Sequence, residues 1–207
     1  MNYEGIMIGI LIIIIIGLLI HIIIKSKQYS KTKGWYHYRY PHPAVTSDCL
    51  LFAYTKESLE VLLIERGGEP YKGYWALPGG FMEMTETTEQ CSRREMLEET
   101  GIKPGYMIEV GSYSTVDRDP RERIVTITYC TLEKKESVTP KAGDDANKAE
   151  WFSLTNLPKL AFDHRDMIND SIQCMRQEIR KAINTPEHPL NSTFTTQELN
   201  DCITRLI

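Results

Sequence analysis

The sequence predicts an α/β domain over residues 44–183 behind one membrane-spanning helix. Three observations lead there. Residues 6–24 are an apolar run. From residue 44 onward, strand-like alternation gives way in turn to helical periodicity. A helix expected at 87–100 then carries three glutamates on one face.

The first element is the run at 6–24, which has a single polar interruption, His21. As a helix its 19 residues would measure roughly 28 Å, enough to cross a bilayer core. Lys25, Lys27, Lys31, Lys33 and Arg39 follow it, and no Lys or Arg precedes it. By the positive-inside rule the N-terminus is expected outside and the rest in the cytoplasm, so residues 1–24 read as an anchor and the bilayer as a partner. A cleaved signal would need a basic leading region and a small-residue cleavage site, which this stretch lacks. Residues 25–43 form a basic and aromatic junction with Trp35, Tyr36, Tyr38 and Tyr40, side chains suited to the headgroup level or to packing on the domain.

Strands are expected at 48–54 and 59–65, joined as a hairpin by 55–58. The Gly- and Pro-rich stretch 67–80 reads as loop. Thr87 with Gln90 has the spacing of a capping box, and Gly101 is a natural helix stop, which bounds the helix. Further strands are expected at 107–115, 124–132 and 149–153. A second helix at 163–183 has the stripe Ile168, Ile172, Met175, Ile179 and Ile183. Residues 184–207 are a C-terminal extension ending in a short helix, with Thr195 and Glu198 again at capping-box spacing.

Bulk composition narrows the partners. The net charge is −4 and there is no long basic run, so no nucleic-acid partner is expected. The cysteines, Cys49, Cys91, Cys130, Cys174 and Cys202, are odd in number and form no CxxC pair, which argues against a zinc site or a disulfide framework.

The chemistry is carried by Glu95, Glu98 and Glu99. Their i, i+3, i+4 spacing places three carboxylates on one helix face. Like charges so close need a positive partner, and a hard divalent cation with oxygen ligands supplies one. Magnesium shares its remaining positions with water and substrate phosphates, so the cluster suits diphosphate chemistry. Leu77-Pro78-Gly79-Gly80 precedes the helix, and glycine lets backbone approach a metal or a phosphate closely. Arg94 and Glu86 form a pair able to hold that loop on the helix.

The run Gly80, five residues, Glu86, seven residues, Arg94-Glu95-Met96, one residue, Glu98-Glu99, one residue, Gly101-Ile102 resembles the Nudix box at every defined position. The resemblance extends over residues 44–183 and includes Trp75-Ala76-Leu77-Pro78 before the box. It implies an α/β/α sandwich with a mixed sheet and hydrolysis of a nucleoside diphosphate derivative. It implies Mg²⁺, with Mn²⁺ an alternative, held by Glu95, Glu98, Glu99 and the region of Gly79. It also implies that Arg94 and Glu86 fix the loop. The base is left open between the box and a carboxylate further on, namely Asp144, Asp145 or Glu150. Many such proteins dimerise, so a homodimer is also open.

Three segments are similar to those of ADP-ribose pyrophosphatases and related regulators: Ile64-Glu65-Arg66-Gly67, Asp117-Arg118-Asp119-Pro120-Arg121 and Leu160-Ala161-Phe162-Asp163-His164. Arg66, Arg118 and Arg121 have the guanidinium geometry for phosphate, and His164 stands at a helix start where it could meet a phosphate or a ribose. Glu122 departs from the pattern, standing where a small residue is expected. The resemblance therefore implies ADP-ribose as substrate, against other nucleotides. The rival of another class is a sensor that binds an NAD-derived ligand without cleaving it. Phe194-Thr195-Thr196-Gln197-Glu198-Leu199 resembles the start of the winged-helix extension of such regulators, but too few residues follow for a DNA-binding domain of usual size.

Overall fold

A computed structural model describes residue 17, residues 38–141 and residues 146–206. The chain divides into Met1–His42 and Pro43–Ile207, and the fold below is that of the second unit. The apolar run at 6–24 lies outside the described residues apart from Gly17. Among the described residues no helix is long and apolar enough to cross a membrane.

The centre of the sheet is β1 (Ala44–Tyr54). Its segment Cys49–Tyr54 is buried on both faces, which is why it reads as a nearly continuous apolar run. It turns through 55–58, where Thr55 N–H donates to Ser58 O at 2.9 Å, into β2 (Leu59–Arg66). The expected hairpin is present, but the two strands pair only over Phe52↔Val61, Ala53↔Glu60 and Tyr54↔Leu59. Beyond that they diverge into a fork. Two short strands fill it: β3 (Trp75–Ala76) pairs with the end of β2, and β4 (Gly79–Phe81) pairs with the start of β1. This corrects the reading of 67–80 as loop throughout. Strands of two and three residues carry no period of their own; the open edges of β1 and β2 create them.

The other edge of β1 pairs in parallel with β6 (Ile124–Lys134) along its whole length, from Ala44↔Ile124 to Tyr54↔Lys134. Antiparallel β5 (Met107–Tyr113) flanks β6, and antiparallel β7 (Ala146–Ser153) flanks β2. The sheet is therefore mixed.

Alternation along the strands sorts their side chains into two cores. Cys49, Leu51 and Leu62 meet Met96 of helix α1 (Thr88–Thr100) on one face. Leu50, Phe52, Leu63, Cys130 and Leu132 meet Met167, Ile168, Met175 and Ile179 of helix α2 (His164–Asn184) on the other. Helix α1 starts at the expected capping box, Thr87 with Gln90, and stops at Gly101 with φ 72°. Helix α3 (Thr196–Arg205) starts at the second box, Thr195 with Glu198. Its Leu199 and Cys202, with Phe194 before it and Leu206 after it, are buried in the same core as α2. The chain after Asn184 thus completes the hydrophobic core.

Leu199→Ala, at a wholly buried position, should cost about 2–5 kcal/mol. The check is the urea midpoint; a loss under about 0.5 kcal/mol would mean that α3 lies on the surface of the fold and not in its core.

Candidate active site

Strand β4 pairs with the start of β1 beside α1, and a side chain on either of its first two residues would meet a close neighbour. A Cβ on Gly79 would stand 2.6 Å from Ser47 O, and one on Gly80 about 2.5 Å from Glu95 Cδ. Lacking side chains, the two residues bring backbone against α1, and Gly79 N–H donates to Glu99 Oε2 at 2.9 Å.

Arg94 ties the following loop to the same helix. Its Nε and Nη2 donate to the two oxygens of Glu86 at 3.1 and 2.7 Å, and Nη2 also reaches Phe81 O at 3.1 Å. Glu86 in turn accepts from Glu83 N–H at 2.8 Å. The hydrogen bond from Arg94 is the main reason that the Glu86 carboxyl lies below its ordinary pKa. The same guanidinium donates from Nη1 to Glu95 Oε1 at 2.6 Å and to Glu98 Oε2 at 3.0 Å. One arginine therefore holds the loop, Glu86 and two of the three helix carboxylates.

Among the described residues no three acidic, His or Cys side chains stand at metal-ligand geometry. Glu95 and Glu98 each give one oxygen to Arg94, and Glu99 gives one to Gly79 N–H. The donor set nevertheless fits a hard divalent cation: three carboxylates on one helix face, with side-chain-free backbone against them. Burial, ahead of the opposing effect of Arg94, pushes the Glu95 carboxyl above its ordinary pKa. A cation beside it would relieve that cost.

A shallow cleft of about 80 Å³ opens beside Gly79 and Gly80. Arg66, Arg118, Arg121 and His164 all line it, so the fold brings together residues up to 98 positions apart (66 to 164). Their partners differ. The Arg118 side chain is 4% exposed and forks onto Asp163 at 2.8 and 2.6 Å. Arg121 forks onto Asp119, its shortest bond 2.7 Å. Arg66 is held by a carbonyl, with Nε donating to Pro70 O at 2.9 Å. Its Cζ lies 4.9 Å from the centre of the Phe162 ring, and that of Arg121 lies 5.6 Å from the same ring. Burial and then Arg121 lower the pKa of Arg66, because two like charges share one apolar wall.

His164 departs from the expected ligand contact. It is 4% exposed, and its Nδ1 accepts from Leu77 N–H at 2.9 Å. Burial takes its pKa down to about 3, so the ring is neutral and offers phosphate no charge. It anchors the strand-filling segment from below.

Glu150 is not brought to the carboxylate cluster. It stands opposite Leu63 and in phase with Phe152, on the sheet face covered by α2, and it is exposed. Helix α1 covers the other face. Asp144 and Asp145 lie outside the described residues. Glu122 is exposed and does not line the cleft.

Asp48 is the site residue that the sequence reading missed. It lies beside Gly79, is 7% exposed, lines the cleft, and its Oδ2 accepts from the Thr126 hydroxyl. Burial, partly offset by Thr126 and Arg118, lifts its pKa to about 6. The available signal was a lone acid at the head of the apolar run of a central strand, a cost seldom met without a use.

Two measurements check this geometry. Gly80→Ala meets only the movable end of Glu95, so it should leave the melting temperature within about 2 °C and weaken Mn²⁺ binding, whereas Gly79→Ala meets the backbone of β1 and should destabilise by about 1–3 kcal/mol. The second concerns acid. The folded-state pKa of His164 lies below the ordinary 6.5, so its stabilisation is complete above 6.5 and is lost as pH falls toward 3. Asp48 acts oppositely: its contribution is complete below 3.8 and is lost as pH rises through about 6. The stability of wild type minus that of His164→Asn, which keeps an acceptor for Leu77 N–H, should therefore fall between pH 6.5 and 4, by up to about 1.4 kcal/mol per pH unit. A flat difference would mean that His164 titrates in the fold as it does in the unfolded chain.

Residues 41–170 match the family described as NUDIX domain. The chain is 44% identical over 146 residues, 70% of its length and 83% of the relative's, to the ADP-ribose pyrophosphatase of Methanocaldococcus jannaschii. It is 34% identical over 178 residues, 84% of its length and 68% of the relative's, to the ADPR responsive transcriptional repressor NtrR of Acinetobacter baylyi. The NUDIX domain of Shewanella oneidensis NrtR, crystallised with ADP ribose, superposes with a TM-score of 0.63 at 28% identity, covering 69% of this chain and 94% of that one. The family match over most of the chain, together with the 44% identity to a pyrophosphatase of which it covers 83%, shows that the chain belongs to the NUDIX family and is a Nudix pyrophosphohydrolase.

Proposed function

We propose that this chain hydrolyses ADP-ribose to AMP and ribose 5-phosphate with Mg²⁺, Mn²⁺ serving as an alternative. The observation that carries the reading is the junction at Gly79–Gly80, where the glutamates of α1 meet the cleft lined by Arg66, Arg118 and Arg121. The 44% identity to an ADP-ribose pyrophosphatase and the likeness to an ADP ribose complex support the choice of substrate.

In this reading Glu95, Glu98, Glu99 and the Gly79 backbone hold the cation. When bound, it lowers the pKa of a water and offsets charge on the diphosphate. Arg66 and Arg121, stacked on Phe162, hold the diphosphate oxygens. Arg118, committed to Asp163, shapes the cleft wall and adds field from behind it. Arg94 and Glu86 keep the loop, and hence Gly79, in register with α1. We assign the base to Glu98, whose side chain is 58% exposed and holds Arg94 at its outer edge, with Glu99 the alternative. Water attacks one phosphorus in line, its proton passes to the carboxylate, and the bridging P–O bond breaks to release two phosphate monoesters.

Incubating the chain with ADP-ribose and Mg²⁺ should yield AMP. Glu98→Gln and Glu99→Gln should each lower kcat by about 100-fold or more. The relation to NtrR over 84% of this chain supports a second reading, a sensor that binds ADP-ribose without cleaving it. Tight binding with no AMP formed would replace the hydrolase reading with that one.

We further propose that residues 6–24 tether the domain to a membrane, with the N-terminus outside and the catalytic unit cytoplasmic; the apolar run and the lysines after it support this. Protease added to sealed cytoplasm-inside vesicles should leave the domain intact, and its digestion would refute the orientation.

A further inference from the structure

The sheet face beneath α2 changes character along its length. On β1 and β6 it carries Leu50, Phe52, Cys130 and Leu132, all buried against α2. Toward the cleft the same face carries Thr46, Asp48, Thr126 and Thr128, none more than 7% exposed. Burying such groups costs free energy unless they are paired, and the pairing here is partial. Thr126 donates to Asp48 Oδ2, while the Thr128 hydroxyl has no hydrogen-bond partner among the described residues. The sheet itself has no need of this polarity, since hydrocarbon fills the same face a few residues on.

We propose that Asp48, with Thr46 beside it on the cleft floor, binds the hydroxyl groups of the substrate's terminal sugar and so makes the site prefer ADP-ribose over ADP. This rests on the function proposed above. A carboxylate repels phosphate oxygens and accepts from hydroxyls, so the floor is a place for a neutral, donor-rich group. The groups suited to phosphate sit elsewhere on the wall: Arg66 and Arg121 are gathered on Phe162. Phe81, 43% exposed at the rim, has Arg121 over its ring at 5.1 Å, so this apolar, cation-flanked rim suits a base. The buried polar floor then falls to the smaller, polyhydroxylated end of the molecule. Because Asp48 pairs with Gly79, a sugar held there lies next to the glycine backbone where the diphosphate must lie.

The test is calorimetric binding of ADP-ribose and of ADP to the full chain, with Ca²⁺ replacing Mg²⁺ so that turnover does not consume the ligand. Asp48→Asn should weaken ADP-ribose about tenfold, the size expected for losing a hydrogen bond to a charged acceptor, and leave ADP within about twofold. Thr46→Val, a shape-conserving change, should weaken ADP-ribose alone by a smaller factor and carries the test if Asp48→Asn does not fold. Parallel losses on both ligands, no loss on either, or a fall in Mn²⁺ affinity in Asp48→Asn would overturn the proposal; the last would make Asp48 a metal ligand. Discrimination between the two ligands in Ca²⁺, together with no AMP formed from ADP-ribose in Mg²⁺, would refute the proposed hydrolysis and leave this inference standing.

Discussion

The constraint on which the site depends is the close packing of β4 against β1 on one side and the carboxylates of α1 on the other, which the two glycines allow. Gly79 and Gly80 sit where any Cβ would intrude on the backbone of β1 or the carboxylate of Glu95. Their absence of side chains lets Gly79 N–H reach Glu99 and sets backbone beside three acidic groups. That approach in turn requires the fork between β1 and β2, because β4 needs an open edge to pair with. Arg94 then closes the assembly from outside by binding Glu86, Phe81 O, Glu95 and Glu98 at once. The metal chemistry proposed for this helix thus depends on sheet geometry as much as on the glutamates.

Charge in the cleft is compensated more than a bare count of arginines suggests. Arg118 and Arg121 each carry a forked carboxylate partner, and His164 is neutral. Such pairing lowers the cost of holding three guanidinium groups together in a half-buried place. It also leaves Arg66, bound by a carbonyl, as the cation with the most charge to offer a phosphate. The acidic residues here act as holders that fix each guanidinium in one orientation, the condition for reading a diphosphate by geometry.

Much of this was legible beforehand because it is local. Thr87 with Gln90, Gly101 and Thr195 with Glu198 bound their helices by backbone hydrogen bonds that neighbouring residues supply, and both capping boxes form. The stripe Ile168, Ile172, Met175 and Ile179 is buried, since helical period alone selects a face. Glu86 and Arg94 are eight residues apart and meet across one turn of loop and helix. Glu150 fails for the complementary reason. Its proximity to Trp151 in sequence says nothing about which sheet face it takes; the β2–β7 register decides that and puts it away from α1. Asp48 was overlooked because its meaning comes from β4, Thr126 and Arg118, none of them near it in the chain.

The amino-acid sequence by itself determined the family, the helix that carries the carboxylates, the chemistry those carboxylates suit and the bounds of that helix, because spacing within one helix is enough to bring these groups together. Tertiary structure alone decided what surrounds them. It split β1 from β2, filled the gap with 75–81, turned His164 from a ligand candidate into a buried support, and placed Asp48 under the cleft. The physical reason is range: caps and helix faces are settled within a few residues, whereas burial, charge pairing and strand edges depend on chain segments that only folding makes neighbours.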